Sequence, residues 1–243
     1  MSSVYWKELG SFFSSLTGYM VLVIFLLVTG LFTWVFSDTS IISYNYASIG
    51  QLFVIGPIVF LFLIPALTMQ TFAQEKQQQT MEFLITKPLT DIQILGGKYF
   101  ACLTLVLLAI LPTLIYYYSV YELGAPRGNI DNGAVIGSYV GLFLLSGVFV
   151  SIGLFISSLT ANQIVAFILT AFLCFIIYFG FSFLGELPIL YGKWDDLVKY
   201  FGVEYHYDNI SGGRIDTRDV IYFVSIAGLF LWLTLVSLGR RKW

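Results

Sequence analysis

Gly96-Gly97-Lys98 shares three letters with the phosphate-cradling loop G-x-x-x-x-G-K-[ST], and the likeness stops there. Tyr99 follows where a serine or threonine is required, and Ile92 stands where the first glycine belongs. Without a full cradle of backbone N–H groups the chain is not expected to hold ATP in the usual manner. The single histidine, His206, falls in a segment read as an outer loop, so neither a Ser–His pair nor a multi-histidine metal site is expected within a membrane. Cys102 and Cys174 both sit inside apolar runs, which argues against a disulfide framework. No catalytic residue, cofactor or metal is assigned to the chain, and the residues present argue against an enzyme.

The remaining polar chemistry concentrates in the segment 73–98, AQEKQQQTMEFLITKPLTDIQILGGK. Met81, Leu84 and Ile85 recur at helical spacing before Lys87-Pro88, where proline must end the helix. Thr90 and Gln93 have the spacing of a capping box for a second helix, whose apolar face continues through Ile92, Leu95 and Tyr99. A short amphipathic helix of this kind fits the groove of a partner protein. The same residues also suit a solvated surface loop, and their spacing does not choose between the two. Near the start, Tyr5, Leu9, Phe12, Phe13 and Leu16 form one helical face, with Lys7, Glu8, Ser11, Ser14 and Ser15 on the other. That pattern predicts an interfacial helix over 1–17 leading into the first span at Gly18, rather than a cleavable signal peptide.

These segments need a scaffold, and the composition identifies its solvent. The 243 residues are 58% hydrophobic and only 11% charged, with a mean hydropathy of +0.86. Soluble domains carry roughly 25% charged residues, so the chain is read as a polytopic membrane protein. A net charge of −2 with no basic stripe leaves nothing to neutralise phosphates, so no nucleic-acid partner is expected. Six apolar runs, at about 18–36, 50–72, 99–119, 134–157, 163–184 and 220–238, each suffice to cross a hydrocarbon core of about 30 Å. Segment 157–163, SSLTANQ, is the only polar break in a long uncharged stretch and predicts a tight helical hairpin. Pro57, Pro65 and Pro112 lie within spans and mark expected kinks. Gly137-x-x-x-Gly141 and Gly147-x-x-x-Ser151 give the fourth span small-residue faces for close packing within the chain.

With six spans both termini share a side. That side holds Lys7, Lys76, Lys87, Lys98, Arg240, Arg241 and Lys242, against Arg127, Lys193, Lys199, Arg214 and Arg218 opposite. Seven cations against five, with the terminal cluster directly after the last span, predict cytoplasmic N and C termini. Tyrosines and tryptophans at the boundaries, such as Trp34, Tyr116, Tyr117 and Trp243, suit the lipid headgroup level. The outer segment 186–219 carries Trp194, Leu197, Val198 and Phe201 at helical spacing, as in a helix on or dipping into the outer surface. None of the six apolar runs contains a charge, whereas ion-coupled carriers usually keep one. A transporter of this kind takes its energy from elsewhere. A secondary carrier or channel, and a membrane scaffold that moves nothing, are the rival readings.

Four separated stretches then carry a resemblance. Trp6-Lys7-Glu8-Leu9-Gly10-Ser11-Phe12-Phe13-Ser14-Ser15 is similar to an opening K-E-L-x-S-[YF]-F-x-S. Glu75-Lys76, Thr80-Met81-Glu82-Phe83-Leu84, Lys87-Pro88 and Gly97-Lys98 match E-[KR]-x-x-x-T-x-E-x-L-x-x-x-P with a later G-K. Phe155-Ile156-Ser157-Ser158-Leu159-Thr160-Ala161-Asn162-Gln163 is the third. Ile210-Ser211-Gly212-Gly213-Arg214-Ile215-Asp216 with Arg218-Asp219-Val220-Ile221-Tyr222-Phe223 is the fourth, with G-R where the familiar order is R-G. Together they resemble the ABC-2-type permeases of ATP-binding-cassette transporters, nearest the gliding-motility-associated group (GldF) and the permeases of copper-enzyme maturation. The resemblance implies an all-α exporter subunit in the bacterial inner membrane, with ATP and magnesium held by a separate cytoplasmic ATPase. It implies a second permease chain, identical or a sister. It also places Glu75, Thr80, Glu82, Phe83, Leu84 and Pro88 in the ATPase-coupling element between spans two and three. Lys7, Glu8, Leu9, Phe12 and Phe13 fall in the family's interfacial helix.

Overall fold

A computed structural model describes residues 1–36, 39–41, 48–80, 89–188, 192 and 195–239. The described chain is helical throughout, without a strand. Helix α1 spans Ser2–Ser14, and α2, Leu16–Gly30, continues as a π-turn over Leu31–Val35. Helix α3 (Gly50–Thr68) is followed by the short α4 (Ala73–Gln77). Helix α5 (Asp91–Ile110) passes through a 3-10 turn, Leu111–Thr113, into α6 (Leu114–Leu123). Helices α7 (Asn132–Leu159) and α8 (Gln163–Gly185) form a hairpin. Two short helices, α9 (Asp195–Tyr200) and α10 (Val203–Ser211), precede α11 (Thr217–Gly239). Six helical stretches are long and apolar enough to cross a membrane: Gly18–Val35, Gly50–Gln77, Asp91–Leu123, Asn132–Leu159, Gln163–Gly185 and Thr217–Gly239.

Local chemistry explains where these helices begin. Thr90 Oγ1 accepts from the Gln93 N–H at 3.4 Å while Gln93 Oε1 accepts from the Thr90 N–H at 3.3 Å, which closes the expected capping box. Asp131 Oδ1 accepts from the N–H groups of Gly133 and Ala134 at 3.0 and 3.1 Å. Asn162 does the same for Ile164 at 2.9 Å, so the polar break at 157–163 is a capped turn. The prolines act unequally. Pro57 and Pro65 are absorbed inside α3, whereas Pro112 coincides with the 3-10 turn. Thr29, Thr33 and Thr234, all buried, each return a hydroxyl hydrogen bond to a carbonyl one turn earlier, which satisfies these groups away from water.

Helix α7 is the axis of the bundle. Of its apolar window 78% is buried, against 22% for α8 and 17% for α11. Around it stand α3, α5, α8, α10 and α11, and Leu142, Leu145, Val148, Phe149 and Ile152 are fully enclosed between them. Small residues set the spacing. A methyl group on Gly153 would fall 2.0 Å from Thr68 Oγ1, and one on Gly137 2.5 Å from the Ile210 carbonyl oxygen. The Gly137–Gly141 face therefore receives α10, a helix of the same chain, and Gly147 lies against Tyr99. Leu27, Val54, Ile168, Phe172, Val224 and Trp232 point outward, exposed as lipid-facing groups should be.

Candidate functional site: a buried ion cluster where three helices meet

At one end of the bundle α1 lies against α5, and two glycines make that approach possible. Gly97 leaves no room for a side chain, since a Cβ there would sit 2.8 Å from Val4 Cβ and 3.2 Å from the Met1 carbonyl. At the elbow between α1 and α2, Ser15 is extended, and the space at Gly18 is taken by the Phe12 carbonyl at 2.4 Å. Val4, Leu9 and Phe12 are buried against the bundle. Phe13 faces outward with its ring edge on Tyr19 at 6.1 Å.

Next to Gly97 stands Lys98, whose side chain is completely buried. Its ammonium reaches Glu8 Oε1 at 2.8 Å, Glu75 Oε2 at 3.0 Å and the Thr71 carbonyl at 2.7 Å. The Phe72 ring lies beneath it at 5.0 Å. Glu75 Oε1 accepts from Lys7 Nζ at 2.9 Å, closing a four-membered, charge-balanced cluster. Half-burial opposes the Lys7 ammonium, yet its hydrogen bond to Glu75 and the charges of Glu75 and Glu8 hold it above the ordinary lysine range. Removing one partner of the fully buried Lys98 ammonium would leave a bare charge in apolar surroundings, whereas Lys7, half exposed, is held less tightly.

The same junction reaches the α7–α8 hairpin. Ser157 Oγ accepts from the N–H groups of Phe72 and Ala73 at 3.1 and 3.0 Å, and Lys76 Nζ donates to the Ser158 carbonyl at the end of α7. Gln163 Nε2 donates to Gln77 Oε1 at 3.1 Å. Thr80 folds back so that its N–H donates to the Glu75 carbonyl at 3.0 Å. The N-terminal helix, the end of α3 with α4, the start of α5 and the hairpin turn thus form one polar joint. It holds no nucleophile–base pair, and among the described residues no three metal-ligating side chains converge anywhere in the fold.

Of the residues expected to carry function, Lys7, Glu8 and Glu75 meet in this cluster, Thr80 borders it, and Leu9 and Phe12 seat α1. Glu82, Phe83, Leu84 and Pro88 lie outside the described residues, as do Met81 and Ile85. Two expectations need correction. Glu8 is not on a solvated face but 7% exposed, drawn inward by Lys98. The apolar runs are free of charge, but the helices containing them are not, since α5 carries Lys98 and α11 carries Asp219. In the sequence Lys98 stands as part of a failed phosphate loop, a motif letter and one of the seven cations on the side of the termini, not as a buried partner of Glu8. Its signal was the glycine directly before it.

A second buried polar centre lies at the opposite end. His206 is not in a loop but on α10, 2% exposed and stacked on Tyr222 at 3.9 Å. Its Nε2 donates to the Tyr200 carbonyl at 2.9 Å, and Nδ1 lies 2.5 Å from Asp219 Oδ1. The imidazole thereby ties the end of α9, α10 and the start of α11. Of the outer residues expected at helical spacing, Leu197 and Val198 lie on α9 and Phe201 just beyond it. Trp194 is outside the described residues.

Six apolar helices, four of them packed together with α10 around a fifth, the axial α7, define a polytopic membrane protein. Residues 36–201, about two thirds of the chain, match the family model described as ABC-2 family transporter protein. The chain belongs to that family and is the membrane-spanning component of such a transporter. A search of curated proteins finds no match.

Proposed function

We propose that this chain is the permease subunit of an ATP-driven exporter, in which a separate cytoplasmic ATPase docks on residues 75–88 and moves the bundle through the Lys98 joint. The observation that carries this reading is the convergence on Lys98 Nζ of Glu8 from α1, Glu75 from α4 and the Thr71 carbonyl from the turn between α3 and α4. A push on the 75–88 segment is passed directly to the first three spans, because a buried ion pair cannot open without a large cost. Ligand-driven switching needs a difference in contact energy between two states, and a joint between helices is where such a difference can arise. The termini lie in the cytoplasm in this account, and the chain acts as a pair with itself or a sister permease in the bacterial inner membrane. The gliding-motility and secretion setting rests on the resemblance of the sequence motifs, with copper-enzyme maturation or a non-transporting membrane scaffold as the alternative.

Co-purification with the ATPase tests this. Glu82→Lys with Leu84→Lys should abolish the association while leaving the chain folded in detergent. Association that survives the pair of changes overturns the docking assignment.

A further inference from the structure

Away from the ion cluster, between α3, α7, α8 and α10, the fold leaves a cavity of about 510 Å³. Its walls are aromatic, from Phe53, Tyr178, Phe179 and Tyr207. The Tyr207 hydroxyl is already committed, donating to the Phe53 carbonyl at 2.7 Å, so the ring presents its face and edge rather than a free donor. Two carboxylates enter this space from adjacent turns of α10, Glu204 and Asp208. Glu204 Oε2 is buried without a hydrogen-bond partner. No lysine, arginine or histidine is among the lining residues. On one side the wall is Val54 and Ile58, exposed to 61% and 43% and thus open to lipid.

Paired acids without a counter-ion, set among aromatic faces, describe a receptor for positive charge. Two carboxylates without a third ligating side chain suit a metal poorly, whereas an ammonium on an apolar body satisfies every wall. We propose that this cavity binds an amphiphilic organic cation, its charged head between Glu204 and Asp208 and its apolar body against Val54, Ile58 and Phe179. The proposal deepens the exporter reading by naming the chemistry of a cargo. Partial desolvation of its carboxyl, on a residue that remains open to the surface, and the neighbouring Glu204 charge hold Asp208 up at about 6. The other titratable groups facing it are Tyr178 of α8 and Tyr207 of α10 itself, while α3 and α7 present none among the lining residues. Binding of a cation should therefore weaken as pH falls through that value, because protonation removes the Asp208 charge.

The test is equilibrium binding of tetraphenylphosphonium to the full chain in phosphatidylcholine nanodiscs, with neutral triphenylphosphine oxide as the uncharged comparator. The cation should bind more tightly than the oxide, and Glu204→Gln with Asp208→Asn should weaken it by about tenfold or more. Oxide binding and thermal unfolding should stay unchanged. Lowering the pH from about 7.5 to about 5 should weaken cation binding in the wild type and not in Asp208→Asn. Competition by phosphatidylethanolamine in the disc assigns the head to a lipid, and competition only by added dodecylamine assigns it to a free amine. Either supports the proposal. Equal affinity in the double variant, equal affinity for the oxide, or displacement by calcium but not by dodecylamine overturns it. No ATPase is present, so failure here leaves the docking reading standing, and loss of docking leaves this one standing.

Discussion

Lys98 has no water to fall back on, so its energy depends on its partners. Lys98→Met strands Glu8 and Glu75 with only Lys7, and should destabilise the chain by roughly 3–5 kcal/mol in reversible unfolding in detergent. Adding Glu8→Gln rebalances the charge and should recover most of that loss, because replacing both members of a buried pair is far milder than removing one. Lys7 behaves differently. Its side chain is 54% exposed, so its ion pair contributes less than about 1 kcal/mol. Its raised value means that this contribution is complete below the ordinary lysine range and disappears as pH rises through the higher folded value. The alkaline limb of a stability–pH curve should therefore flatten slightly in Lys7→Gln. Helical spacing showed that Glu8 and Lys7 share a side of α1, but spacing alone assigns that side to water. Only the position of Lys98, ninety residues later, turns Glu8 inward.

Hydrophobic runs locate helices, and here they locate spans well, because lipid demands about 20 apolar residues and permits few other structures. Capping residues were equally legible, as Thr90 and Gln93 show. What the pattern hides is local departure from the regular helix, such as the π-turn at Leu31–Val35, and short helices whose burial depends on a distant neighbour. Helix α10 is the clearest case. Its sequence VEYHYDNIS is polar on average, yet Val203, His206, Tyr207 and Ile210 are buried because α7 offers Gly137 and Gly141. Gly137→Leu should therefore expel α10, exposing a cysteine placed at Ile210 to maleimide, with overpacking of roughly 1–3 kcal/mol read by thermal unfolding. His206→Ala should have a related effect by another route. It leaves the Asp219 carboxylate buried without its partner, and should cost roughly 3–5 kcal/mol, with α9 and α10 becoming susceptible to protease before the spans do.

For the molecule as a whole, the apolar composition fixes the solvent and the axial helix α7 fixes the packing, while the polar groups gather at the two ends. One end carries the ion cluster beside α4, and the other carries the cavity beneath α10. Helices α3 and α7 connect the two, since Thr71 and Phe53 lie at opposite ends of the α3 segment and both bond to the parts they serve. The family membership was legible from four short motifs in order, yet the joint itself was not, because its members are separated by up to ninety residues and only the fold brings them together.

The most direct test uses the ATPase complex reconstituted in nanodiscs, measuring ATP hydrolysis against that of the free ATPase. Wild-type chain should change the rate several-fold. The charge-balanced variant Lys98→Met with Glu8→Gln should keep the ATPase bound while the rate returns to that of the free subunit. A rate in that variant indistinguishable from wild type would contradict the claim that force passes through Lys98.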